Sequence, residues 1–147
     1  MRDRFWERFS LAELDAEEWE ALCDGCARCC MVKLQDETSD EIVYTAVVCH
    51  LLDLSTCRCT AYGDRHRLVP DCIDFTAGIV EQLSWLPRSC AYRRIAEGRP
   101  LADWHWLVCG DRNAVHEAGV SVRGRVVSEA GVPEEALEDM VVHWVET

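Results

Sequence analysis

The chain has 147 residues, 49% of them hydrophobic, and a net charge of −12 from 15 basic and 27 acidic side chains. That length suits one small domain with its own core, and the acidic balance argues against the basic face that nucleic-acid phosphates require. The amino-terminal run Met1 to Arg8 lacks the apolar stretch of a secretory signal, and no run reaches the ~18 apolar residues of a membrane span, so a cytoplasmic protein without a membrane partner is expected.

In chain order, Ser10-Leu-Ala-Glu13 and Asp15-Ala-Glu-Glu18 are capping boxes. They predict a short helical turn and then a helix from about Ala16 to Leu22, with Trp19 and Leu22 facing the core. This helix runs into Cys23, Cys26, Cys29 and Cys30, where Gly25 favours a loop. Met31–Gln35 and Glu41–Val48 read as two strands of a β-hairpin joined by the turn-rich segment 36–40. The second strand would return Cys49 to the neighbourhood of the cysteine loop. Cys57-Arg-Cys59 lies in irregular chain, and Pro70 holds the approach to Cys72 extended. Thr76 can cap a helix through about Leu83. A further helix is expected over Cys90–Glu97, closed by Gly98. Val120–Val127 reads as a strand. From Pro133 onward, Leu137, Met140, Val141, Trp144 and Val145 fall at helical spacing and predict an amphipathic C-terminal helix, packed on the domain or offered to a protein partner. The expected fold is α+β: a small single domain, 1–147, with short helices and a β-hairpin around a metal-binding core over 23–90, followed by a strand–helix segment over 111–147.

Ten cysteines exceed what packing needs, and in a reducing compartment a disulfide framework is the lesser explanation. Metal ligation is the main one. Cys23-x2-Cys26-x2-Cys29 has the spacing of a three-thiolate iron–sulfur loop, whose remote fourth ligand would be Cys72, Cys49, Cys59 or Cys90. Zinc is the alternative, with the pairs Cys23/Cys26 and Cys57/Cys59 closing a tetrahedral site. Adjacent Cys29 and Cys30 are poorly placed to ligate one ion together. A thioredoxin-type dithiol would open a helix after a strand, whereas this CxxC follows a helix and precedes strands. Nine basic residues between 23 and 99 could offset the charge of a thiolate site. Of the five histidines, His50 beside Cys49 is the best placed to ligate, although a lone histidine is more often structural.

The run Cys23-Asp-Gly-Cys-Ala-Arg-Cys-Cys30 resembles the signature of the CxxCxxCC family, described as zinc- or iron-chelating, and most closely its YcgN-type bacterial branch. Glu18-Trp-Glu-Ala-Leu-Cys-Asp-Gly25, Cys49-His-Leu-Leu-Asp-Leu54, Cys57-Arg-Cys59, Val69-Pro-Asp-Cys72, Cys90-Ala-Tyr-Arg93 and Asp103-Trp-His105 extend the resemblance over nearly the whole chain. It implies metal chelation through Cys23, Cys26, Cys29, Cys30, Cys49, Cys57, Cys59, Cys72 and Cys90. Cys109 departs from the family pattern, as does Trp106, where proline usually follows this histidine. The expected function is therefore metal binding through an iron–sulfur cluster or zinc, with iron–sulfur preferred by a narrow margin and a structural first role for the site. Two cellular roles compete: a module passing metal, clusters or electrons to a partner protein, and a metal- or cluster-dependent enzyme. The second rests on distant analogy with the flagellin lysine methylase, which has a similar cysteine signature. Neither a substrate nor catalytic residues follow from the sequence.

Overall fold

A computed structural model describes residues 1–147, and the architecture is α+β. Seven short α-helices follow in chain order: α1 (Phe5–Arg8), α2 (Ala16–Leu22), α3 (Arg65–Leu68), α4 (Ala77–Val80), α5 (Ala91–Ala96), α6 (Trp106–Cys109) and α7 (Ala114–Glu117). The strands are β1 (Met31–Gln35), β2 (Ile42–Val48), β3 (Val127–Ser128) and β4 (Val141–Val142). No helix is long and apolar enough to cross a membrane. The chain divides into two compact units, one of residues 1–26, 75–120 and 147, the other of residues 27–74 and 121–146.

The first unit is helical. Helix α2 starts where the capping box predicts: the Asp15 carboxylate accepts the Glu18 N–H at 2.8 Å, and the Glu18 carboxylate accepts the Asp15 N–H at 3.1 Å. Its end is closed by side chains from residues 105–106. His105 Nε2 bonds the Leu22 carbonyl at 2.8 Å, and Trp106 Nε1–H donates to the Ala21 carbonyl at 2.9 Å, which satisfies two carbonyls the helix cannot pair internally. His105 Nδ1 accepts the Leu107 N–H at 3.0 Å, so Nε2 carries the proton. Phe5, Leu11, Leu22, Val80, Leu86 and Leu101 form the core of this unit with Ala21, Ala91 and Tyr92. Tyr92 stacks on Phe75, contacts Trp19 at a 4.6 Å centroid distance, and donates its hydroxyl to the Trp19 carbonyl at 2.7 Å. Thr76 caps α4 through the Ile79 N–H, although regular helix there stops at Val80, short of the expected Leu83.

The second unit is built on a sheet with β2 at its centre. β1 pairs antiparallel with β2 in the register Met31↔Val48 to Gln35↔Ile42, with a bulge between Met31 and Lys33. The hairpin turn is held by Asp36, whose carboxylate accepts the Thr38 and Ser39 N–H groups at 2.8 Å. Two short strands pair with β2 besides β1: β3 runs parallel to it at Val47↔Val127 and Val48↔Ser128, and β4 antiparallel at Tyr44↔Val142 and Thr45↔Val141. Met31, Tyr44, Thr45, Val47, Val48, Leu52 and Val122 are buried.

Two expectations need correction here. The C-terminal segment is not an amphipathic α-helix: Glu134–Met140 is a 3-10 helix, and Val141–Val142 is a strand. The apolar stripe has a different cause. Val141 and Val142 complete the ladder of β2, and the Trp144 ring lies under the guanidinium groups of Arg28 and Arg125 at 5.3 and 4.7 Å. Backbone donors and acceptors of β2 reward β-branched Val141 and Val142 more than a solvated helix would. Likewise, Val120–Val127 is not one strand: only Val127 and Ser128 pair, and Gly124, at φ 77°, turns the preceding chain.

Candidate metal centre

The hairpin and the loop that follows it bring distant cysteines together. Ala27, in the left-handed region at φ 62°, leads into a 3-10 turn over Arg28–Cys30, which delivers Cys29 and Cys30 to the head of β1. The Cys49 N–H donates to the Cys30 carbonyl at 3.0 Å, extending the β1–β2 ladder by one step, so the end of β2 sets Cys49 beside Cys30. The chain then folds back on itself. Leu52 bridges Cys59 in antiparallel fashion, and the Thr60 N–H donates to the Leu51 carbonyl at 2.7 Å. An Asp53 carboxylate accepting the Ser55 and Thr56 N–H groups holds that return. Cys72 sits past α3 in a turn closed by its own N–H to the Val69 carbonyl at 3.0 Å.

Within this group the neighbouring sulfurs act on the ionisation of Cys30, Cys49 and Cys72. The Cys30 thiol is pushed far up by its hydrogen bond with Cys29, then by burial and by the charges of Cys29, Cys49 and Cys72. Burial raises Cys49 against the Leu51 N–H, and the charges of Glu129, then Cys59 and Cys72, raise it further. Cys72 is raised by burial and by Cys29 and Cys59, against an opposing pull from the Arg65 guanidinium. Two cations border the group. Lys33 reaches the Cys29 and Met31 carbonyls at 3.0 and 2.7 Å; burial lowers its pKa, while Cys29, Cys30 and Cys72 oppose that lowering. Arg65 stands at Cys72 and also 3.9 Å from Asp74. Thiols that raise one another's pKa in this way are poor isolated acids and good chelators, because a metal cation removes the repulsion that keeps them protonated.

The remaining cysteines divide between the two units. Cys23 and Cys26 belong to the helical unit, where Cys23 ends α2 and is exposed. Cys26 is buried, and its N–H donates to the Asp24 carboxylate at 2.8 Å. Cys57 is buried in the sheet unit at φ 59°, and its sulfur is hydrogen-bonded by the Ser121 hydroxyl and the Arg123 N–H, with the Arg123 charge nearby. Cys90 precedes α5 and packs against the helical core. Cys109 is exposed, with its thiol 3.5 Å from the Trp104 carbonyl.

One acid escaped the sequence reading. Glu129 lies in a 3-10 turn after β3 and accepts both the backbone N–H of His50 at 2.8 Å and its Nδ1 at 2.9 Å. Nothing local marks it, because the two residues are 79 positions apart and meet only through the β2–β3 pairing.

Thiols from four chain segments within electrostatic reach of one another, with cations beside them, form a cysteine cluster of a kind able to chelate metal. The comparisons agree with that class. The model of the CxxCxxCC family, "Putative zinc- or iron-chelating domain", matches residues 22–91. A UPF0260 protein of Marinobacter nauticus is 53% identical over 141 residues, 96% of this chain and 95% of the relative. One from Pseudomonas fluorescens is 51% identical over 138 residues, covering 94% and 93%, and one from Gluconacetobacter diazotrophicus is 54% identical over 140 residues, covering 95% and 86%. The chain belongs to the UPF0260 family. No solved structure matches it.

Proposed function

We propose that this protein binds an iron–sulfur cluster through the thiolates of Cys29, Cys49, Cys59 and Cys72, with the Cys30 thiol hydrogen-bonded beside Cys29. The carrying observation is that the hairpin pairing of Cys30 with Cys49 and the Leu52–Cys59 bridge bring thiols from separate segments of the sheet unit within electrostatic reach, so that Cys29, Cys59 and Cys72 act on Cys30 and Cys49. A single zinc ion takes four ligands and closes, whereas a fifth thiol beside the set suits a cluster, whose sulfurs are tuned by neighbouring donors. Lys33 and Arg65 support the reading, since four thiolates leave a bound centre anionic and both cations lie at its edge. Within the group, Cys49 and Cys30 are held by the hairpin, Cys59 by the Leu52 bridge, and Cys72 is kept next to a fixed positive charge. The bound cluster would supply a cross-link for a unit with a small core and a site for one-electron chemistry. Free thiols at this density need a reducing compartment, which supports a cytoplasmic location.

Anaerobic purification followed by iron, sulfide and zinc analysis tests this, with a visible spectrum on the same sample. Iron and sulfide in equal amounts with a broad band near ~400 nm are expected of thiolate-bound clusters. Colourless protein carrying stoichiometric zinc and no iron would overturn the cluster reading and leave zinc chelation.

A further inference from the structure

Cys49, His50 and Glu129 bring three different donor types to one point. The Cys49 sulfur, a His50 ring nitrogen and a Glu129 carboxylate oxygen all lie within 4.8 Å of one another. The register of the sheet produces this. β2 and β3 run parallel with Val48 opposite Ser128, so the residues that follow each strand leave the sheet side by side. Ser128 then caps the 3-10 turn by accepting the Ala130 N–H, which sets the direction of Glu129. The carboxylate is held by the His50 N–H at 2.8 Å and faces His50 Nδ1 at 2.9 Å, and the Cys49 thiol is within hydrogen-bonding reach of it.

From this we infer that Cys49 Sγ, His50 Nδ1 and the Glu129 carboxylate form a mixed-donor site for a divalent cation of the zinc class, with one coordination position open. Ligands of a tetrahedral ion at ~2.0–2.1 Å stand about 3.3 Å apart. The observed 2.9 Å between Nδ1 and the carboxylate oxygen needs to open by only a few tenths of an ångström, within the play of side-chain torsions. Imidazole and carboxylate donors select a different ion from an all-thiolate set. Three protein ligands with a free fourth position are the pattern of exchangeable or reactive zinc rather than of closed structural sites. The exposure fits this: the His50 and Glu129 side chains are 47% and 40% accessible, which leaves the remaining position facing water. On binding, the ion takes the place of the hydrogen between His50 Nδ1 and Glu129 and of the thiol proton of Cys49, so protons are released as it enters. The inference deepens the reading of this unit as a metal chelator and shares Cys49 with it, so the ion occupies this site when the cluster is absent; His50 and Glu129 are not among the proposed cluster ligands.

The test titrates Co(II) into the full-length, metal-free protein under anaerobic conditions, follows the visible d–d bands and the near-ultraviolet sulfur-to-cobalt band, and then displaces Co(II) with Zn(II). It compares the wild type with Glu129→Gln, His50→Ala and Cys72→Ser, each checked for folding by circular dichroism. Glu129→Gln keeps an oxygen to accept the His50 N–H, so it decides the matter should His50→Ala not fold. The expected result is one equivalent with a mixed-donor tetrahedral spectrum. Its affinity falls at least about tenfold in Glu129→Gln and His50→Ala, a loss that even an outer partner of a metal ligand causes, and it persists in Cys72→Ser. Unchanged affinity and spectrum in folded Glu129→Gln would overturn the inference while leaving thiol chelation intact. Anaerobically purified protein without iron or sulfide that still takes up the mixed-donor equivalent would do the reverse.

Discussion

Glu18 carries a charge where solvent does not reach: its side chain is fully buried, yet its carboxylate accepts the Asp15 N–H, the Arg2 N–H and the Arg2 guanidinium, the last at 2.6 Å. The hydrogen bond from Arg2 outweighs the opposing effect of burial, and the two backbone donors lower the pKa further, to about 2 against an ordinary 4.5. A carboxylate whose folded pKa lies below its unfolded value stabilises the fold fully above the unfolded pKa, and that stabilisation disappears as pH falls through the folded one. The contribution is therefore present above about pH 4.5 and fades between there and about pH 2. Glu18→Gln is expected to lower Tm by ~4 °C or more at neutral pH and to flatten the fall of Tm between pH 5 and pH 2. An unchanged acid limb in thermal melts would contradict this. Cys57 makes a second case at this scale. Its sulfur is engaged by Ser121 and Arg123, so Cys57→Ala is expected to retain the full metal complement of the wild type while melting a few degrees lower. Metal analysis showing a loss as complete as in Cys72→Ser would place Cys57 among the ligands.

Among the elements, β2 carries most. It pairs with β1, β3 and β4, and it ends at the cysteine that begins the return loop. The bulge between Met31 and Lys33 interrupts the ladder at Val32, and the Val32 carbonyl is satisfied by the Thr45 hydroxyl at 2.8 Å, which also accepts the Val47 N–H at 3.3 Å. Thr45 is fully buried, so Thr45→Val preserves shape and strand propensity but leaves the part-buried Val32 carbonyl without this hydrogen bond. The expected cost is about 1–3 kcal/mol in urea unfolding, with a weaker hold on Cys49 and hence reduced metal affinity; a stability within ~0.5 kcal/mol of wild type would show that the bulge relaxes. Helix α2 was legible in the sequence down to its cap, because a capping box acts over three residues. The C-terminal stripe misled because helical spacing and a turn followed by a short strand both place apolar residues inward over so few positions. A two-residue strand has no periodicity of its own.

At the scale of the molecule, the two units differ in what holds them. The helical unit has a core of nine buried residues and five of the six tryptophans. The sheet unit combines short strands, an irregular return loop and the thiol cluster; on the proposed function the bound centre would cross-link it, as staples do in small scaffolds. Metal removal by an anaerobic chelator is accordingly expected to melt the sheet unit first, reporting at Trp144, its single tryptophan. The helical signal at 222 nm should largely persist, with Tm of the sheet unit lowered by ~10 °C or more, since structural metals contribute folding free energy directly. Coincident loss of both signals at an unchanged temperature would show that the metal does not support this unit.

What the sequence determined by itself was local or compositional: a cysteine density that points to metal chelation, the capped start of α2, the hairpin over 31–48 and the family signature. Each is carried by residues within a few positions of one another, where backbone geometry leaves little choice. Only the tertiary structure decided which thiols meet. A hairpin, a bridged return loop and a turn after α3 bring Cys29, Cys30, Cys49, Cys59 and Cys72 within electrostatic reach, while the Cys57 sulfur meets Ser121 and Arg123. Glu129 reaches His50 by the same kind of long-range pairing. Spacing along a chain sets which donors are near in sequence, but ligand geometry is set by strand register across tens of residues, and that register is a property of the packed sheet.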